Sequence, residues 1–179
     1  MALTLLTAGC GAPMLSTLPD RPLAGSTFLR AREAGPVIGA QAPALTVQGT
    51  AGGSETLADL HGKGVIVTFF ASWCPHCQHE LTAFDAIMRK ICSCRGLVVL
   101  PVNAVDEPAQ TLEAFREKLG LTFPVYLDPG STMTGRWGIQ DVPTMFFVNR
   151  QGTIVAKREG EVQTDDLNQL INTILKYGP

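Results

Sequence analysis

"GVIVTFFASWCPHCQHEL", residues 64–81, decides the fold. Its first half is an unbroken run of β-branched and aromatic side chains, the pattern of a strand buried on both faces. Its second half sets Cys74 and Cys77 three positions apart, and beyond them Leu81, Phe84, Ile87, Met88 and Ile91 recur at helical spacing. A strand that runs straight into a cysteine pair at the head of a helix begins a strand–helix–strand unit.

The rest of the chain completes that unit. Upstream, "PALTVQGTAGGSETLADLHGK" reads as two short strand segments around a turn at Gly52 and Gly53. Downstream, "GLVVLPVNAV" is a second buried strand, and "EPAQTLEAFREKLGL" is an amphipathic helix with Pro108 near its first turn and Gly120 at its end. A short segment at "FPVYLD" and a helical turn at "STMTGRWGI" follow. "VPTMFFVNRQGTIVAKREG" forms a hairpin turning at Asn149 to Gly152. The last helix carries Leu167, Leu170, Ile171, Ile174 and Leu175 on one face, with Thr164 as its N-cap. The order strand, helix, strand, helix, hairpin, helix predicts an α/β domain with a central mixed β-sheet flanked by helices on both faces. A C-x-x-C at the start of the first helix of such a unit marks a thioredoxin-like redox motif.

Bulk properties narrow the function. A chain of 179 residues with 45% hydrophobic and 17% charged content suits one domain with a real core and an appended tail. The net charge of −2 leaves no basic footprint, so nucleic acid is not a partner. No run approaches the roughly 18 apolar residues of a membrane span. "LLTAGCGAP", residues 5–13, puts small residues ahead of Cys10 behind a short apolar run, like the cleavage site of a bacterial lipoprotein. Residues 1–10 therefore read as a truncated signal with Cys10 as the lipid anchor. Residues 11–36, rich in Pro, Gly, Ala and Ser, read as a flexible tether, and residues 37–179 as the folded domain. The alternative for Cys10 is a free thiol in an apolar tail.

The chemistry centres on the first pair. A cysteine at a helix N-terminus faces unsatisfied backbone N–H groups and the positive end of the helix dipole, and both favour the thiolate. Cys74 holds that position and is expected to be ionised near neutrality and to attack. Cys77, one turn further in, is expected to resolve the mixed disulfide. Pro75 suits the first helical turn. His76 either stabilises the Cys74 thiolate with positive charge or is merely exposed. Glu80, on the same face as Cys77, is either a buried carboxyl that exchanges a proton with it or a solvated helix charge. Trp73 is either a lid packed beside the cysteines or ordinary core material. Pro143, in "DVPT", precedes a strand that should run beside the first.

From Val37 to Lys176 the chain resembles the TlpA/ResA-type branch of the thioredoxin superfamily. The residues that carry the resemblance are "GAQAPAL", "VTFFASWCPHCQHEL", "VNAVDE", "LTFPVYLD", "GIQDVPTMFFVNRQGTIV" and Gly160. It implies a thioredoxin-like fold with an N-terminal TlpA/redoxin-type extension, and a cis bond before Pro143 that packs against the dithiol and exposes an edge for an extended substrate. It also implies a monomeric, extracytoplasmic, membrane-tethered thiol–disulfide oxidoreductase of the bacterial periplasm or cell envelope. Such a protein needs no cofactor, draws electrons from a membrane thiol–disulfide donor, and passes them to protein thiols and disulfides. Members are usually reductants and often serve cytochrome c maturation. On that resemblance Cys74, Cys77, Glu80 and Pro143 are the catalytic residues, and Trp73, Pro75, His76 and Val142 bind substrate. The Pro75-His76 dipeptide instead resembles the oxidising DsbA branch, so a DsbA-like oxidant remains an alternative.

A second pair, Cys92 and Cys94, falls where the first helix ends. At about 1.5 Å per residue Cys92 sits roughly 22 Å along the helix from Cys77, too far for the two pairs to join. A C-x-C disulfide, free thiols and a metal site stay open for it. The competing function is a copper or zinc carrier using its cysteines. A peroxidase needs a lone peroxidatic cysteine rather than a C-x-x-C, and a non-catalytic binding module needs neither.

Overall fold

The computed structural model describes residues 35–90 and 96–176, all within one unit, Ala31–Pro179. The expected signal and anchor at Cys10, the tether as far as residue 34, Ile91, Cys92 and Cys94 lie outside the described residues.

The apolar run at the start of the quoted stretch forms β3 (Gly64–Phe70), and all seven of its residues are buried. It pairs in parallel with β4 (Leu97–Asn103), from Gly64 opposite Leu97 to Phe70 opposite Asn103. On its other side runs β6 (Thr144–Val148), antiparallel, with Phe69 opposite Thr144 and Val65 opposite Val148. β7 (Ile154–Glu159) returns beside β6 through the expected turn. β5 (Tyr126–Leu127) lies parallel to β4, and the extension adds β1 (Thr46–Gly49), antiparallel to β5, and β2 (Ser54–Thr56), antiparallel to β1 at the edge. The result is a seven-stranded mixed sheet in the order β2-β1-β5-β4-β3-β6-β7.

Helices cover both faces because alternate strand residues point both ways. On one face α1 (Pro75–Lys90) sets Leu81, Phe84 and Ile87 against Ile66 and Phe70. α2 (Ala109–Leu119) and α4 (Thr164–Lys176) join that layer through Leu112, Phe115, Leu167, Ile171 and Ile174. On the other face α3 (Thr132–Arg136) delivers Trp137 onto Phe69 and Phe146, with ring centroids 5.9 and 4.9 Å apart. α4 crosses so close to β3 that a Cβ at Gly64 would lie 3.2 Å from Ile174. α2 ends at Gly120, whose φ of 64° is the left-handed cap conformation that glycine adopts at no steric cost. Thr164 is not a cap but the first residue of α4. The preceding carbonyl of Gln163 accepts the first helical N–H, from Leu167.

Candidate active site

Strand register brings the site together. Because Thr144 stands opposite Phe69, the antiparallel pairing carries Pro143 and Val142 past the end of β3, to where the chain turns into α1. The turn itself is tightly held. Ala71 accepts the Cys74 N–H at 3.1 Å, leaving Ser72 and Trp73 at the tip. Glu107, just beyond β4, accepts the Ser72 N–H at 2.9 Å and also its hydroxyl. Asn103 donates to the same carboxylate at 2.6 Å and accepts the Glu107 N–H at 2.8 Å. The Gln78 amide donates back to the Ser72 carbonyl at 2.8 Å. A strand end and two loops are thus locked around the residue before Trp73 and Cys74.

Both cysteines are free thiols. Cys74 precedes the first residue of α1, and the Cys77 N–H donates to its Sγ at 3.4 Å. The Cys74 thiol in turn donates to the Val142 carbonyl at 3.8 Å. The Val142–Pro143 peptide bond is cis. Cys74 is 6% exposed, while Cys77 is fully enclosed among Leu81, Phe70 and their neighbours. Burial, and then the adjacent Cys74 sulfur, push the Cys77 thiol up to about 12. The two sulfurs therefore differ in kind: one touches the surface and receives a backbone N–H, the other is deep and resists ionisation.

Glu80 is buried at 1% exposure. Its Oε2 accepts the Val162 N–H at 2.9 Å, while Oε1 has no hydrogen-bond partner among the described residues. Burial raises this carboxyl to about 7, opposed by the Val162 hydrogen bond and assisted by the charge of Glu161. Lying one turn beyond Cys77, it is a carboxyl that can exchange a proton near neutral pH.

The structure thus gathers Cys74, Cys77, Glu80, Val142 and Pro143. One expectation about their neighbours changes. Trp73 is 67% exposed and forms no packed lid; with Ser72 anchored inward by Glu107, the next residue on the turn faces out. His76 is exposed, as one of its two readings had it, and turns its Nδ1 to Glu161 at 3.0 Å, while His79 lies 3.9 Å from the other oxygen of the same carboxylate. No signal in the sequence foretold Glu161, which is far from the cysteines along the chain. Glu107 falls inside the "VNAVDE" motif but gives no hint of its bond to Ser72. Among the described residues no group of three or more His, Cys, Asp or Glu side chains is arranged to hold a metal ion.

Comparison with known proteins agrees with this geometry. The family model described as AhpC/TSA family matches residues 38–157. The thiol-disulfide oxidoreductase ResA of Geobacillus thermodenitrificans (strain NG80-2) is 30% identical over 137 residues, covering 76% of this chain and 78% of that protein. The exposed lipoprotein thioredoxin of Streptococcus pneumoniae strain TIGR4 superposes with a TM-score of 0.63 at 25% identity, over 73% of this chain and 99% of that one. A thiol:disulfide interchange protein of the thioredoxin family from Chlorobium tepidum TLS shares the fold, with a TM-score of 0.68 at 22% identity over 78% of this chain and 99% of that one. The chain belongs to the AhpC/TSA family of the thioredoxin superfamily and, within it, is a ResA-like thiol-disulfide oxidoreductase.

Proposed function

We propose that this oxidoreductase is a reductant of extracytoplasmic protein disulfides and that Cys74, Cys77, Glu80 and Pro143 carry the reaction. Cys74 attacks a substrate disulfide, forming a mixed disulfide and releasing the first substrate sulfur, which takes up a proton. Cys77 then passes its proton to the ionised carboxylate of Glu80 and attacks Cys74 Sγ. The Cys74–Cys77 disulfide forms and the second substrate sulfur leaves and is protonated. Two electrons and two protons have passed from the protein to its substrate. A membrane thiol–disulfide donor restores the dithiol.

The observation that carries this reading is the unequal pair: a rim sulfur that receives the Cys77 N–H at 3.4 Å, backed by a buried thiol raised to about 12. A resolving sulfur that resists ionisation does not stabilise the reduced state as ionised thiols do, which favours giving electrons over taking them. The half-buried Val142 ahead of cis Pro143, beside the exposed Trp73 and Pro75, suits a substrate bound in extended form against Cys74. His76 lines the same rim.

The relatives support the setting. One is an exposed lipoprotein thioredoxin, consistent with anchoring of this chain through a lipid on Cys10 and a tether over residues 11–36. No helix among the described residues is long and apolar enough to cross a membrane. The domain over residues 37–179 then works as a monomer at the outer face of the membrane, and cytochrome c maturation, where haem-attaching cysteines must be kept reduced, is the process it serves.

Two measurements test the reading. Insulin reduction must be lost in Cys74→Ser and retained in Cys94→Ser. The Cys74–Cys77 couple must equilibrate with glutathione at a potential nearer about −270 mV than about −120 mV, the thioredoxin and DsbA values. A potential at the DsbA end would make the protein an oxidant.

A further inference from the structure

The loop before α4 meets the C-x-x-C helix through a single carboxylate. Glu161 holds His76, inside the cysteine pair, at 3.0 Å and faces His79, one turn on, at 3.9 Å. Its neighbour Val162 donates to buried Glu80. Glu161 also acts on the Glu80 carboxyl through its charge. One short segment therefore meets both the dipeptide between the cysteines and the carboxyl behind them.

We propose that Glu161 is a positioning residue of the dithiol: acting through His76, it offsets positive charge beside Cys74 and holds the couple toward the reducing side. The sign does not depend on the protonation of His76. With a protonated imidazole the His76–Glu161 pair carries no net charge; with a neutral one it carries one negative charge. Removing the carboxylate adds one unit of positive charge in either case. Positive charge beside Cys74 stabilises the thiolate of the reduced form and makes the disulfide more oxidising. The arrangement explains how a Pro75-His76 dipeptide can sit in a reductant. This inference rests on the exchange chemistry proposed above and adds what sets its direction.

All three side chains are exposed, so their pairing contributes little to folding. Its effect must be read on the couple. Reduced protein and oxidised glutathione exchange to give the Cys74–Cys77 disulfide and two reduced glutathiones, two electrons passing from protein to glutathione. The oxidised fraction of the Cys74–Cys77 peptide alone is read by differential alkylation and mass spectrometry on the full chain. Glu161→Gln should lower the equilibrium constant for oxidation by roughly three- to tenfold. The change should shrink at about 1 M salt, where screening acts within about 3 Å. Glu159→Gln removes an exposed charge at the end of β7 and should shift the constant by less than twofold.

An unchanged or increased constant in Glu161→Gln, or a shift of the same size in Glu159→Gln, overturns the proposal. So does a shift that is indifferent to salt. If the wild-type pair fails to exchange with glutathione at all, it is the exchange reading above that falls. Thermal unfolding of Glu161→Gln should match the wild type within about 2 °C, which separates an electrostatic effect from a folding defect.

Discussion

Glu80 spans from α1 to the loop ahead of α4, accepting the Val162 N–H at 2.9 Å with one carboxylate oxygen while the other, buried too, has no partner among the described residues. Burial raises the carboxyl to about 7, against the Val162 hydrogen bond and with help from the charge of Glu161. It also couples folding to pH. The carboxyl is raised on folding, so its favourable contribution is complete below about pH 4.5, the value of an unperturbed glutamate, and is lost as pH rises through about 7.

Glu80→Gln should therefore flatten the pH dependence of stability between about pH 4.5 and 8. The wild type should lose on the order of 2–3 kcal/mol across that window, and the variant much less. In the same variant the resolution step should slow by about a hundredfold, and its rise near pH 7 should disappear, because no base receives the Cys77 proton. Stopped-flow exchange and urea unfolding at several pH values check both effects. An unaltered pH profile would remove Glu80 from the mechanism.

The depth of Cys77 gives a second test. With its thiol raised to about 12, about one molecule in ten thousand carries the thiolate at pH 8. Iodoacetamide should modify Cys74 at least tenfold faster than Cys77 in the folded protein, and the two at similar rates once it is unfolded. Peptide mapping reads the ratio. Equal labelling in the folded state would contradict the assignment of attacking and resolving sulfurs.

Glu107 and Ser72 give the third. The Glu107 carboxylate accepts two hydrogen bonds from Ser72 and one from Asn103. Glu107→Ala should cost about 2–3 kcal/mol in stability, since it leaves the buried Asn103 amide without this acceptor. Ser72→Ala should cost about 1 kcal/mol. The double variant should cost less than the sum, because the two share one network. Additive losses in denaturant unfolding would show that the contact does not act as a unit.

Much of the fold was legible because burial leaves a period in sequence. The unbroken apolar run of β3, the helical spacing of Leu81, Phe84 and Ile87, and the turn residues between β6 and β7 each state their own conformation. The site was legible where chemistry is local: Cys74 and Cys77 stand one turn apart at a helix start, and Glu80 one turn beyond. Trp73 was misjudged because an aromatic carries the same apolar signal whether a turn points it inward or out. The tie that points it out, Ser72 to Glu107, joins two loops brought side by side by the β3–β4 register.

What the sequence determined by itself is the identity and order of the elements and the position of the dithiol, since these depend on spacing along one strand and one helix. The tertiary structure alone decided the environment of each group. The inequality of the two sulfurs, the unpartnered oxygen of Glu80 and the Glu161 carboxylate against His76 all arise from chain segments far apart in sequence. Desolvation and charge act through space, and space is set only once the sheet has closed.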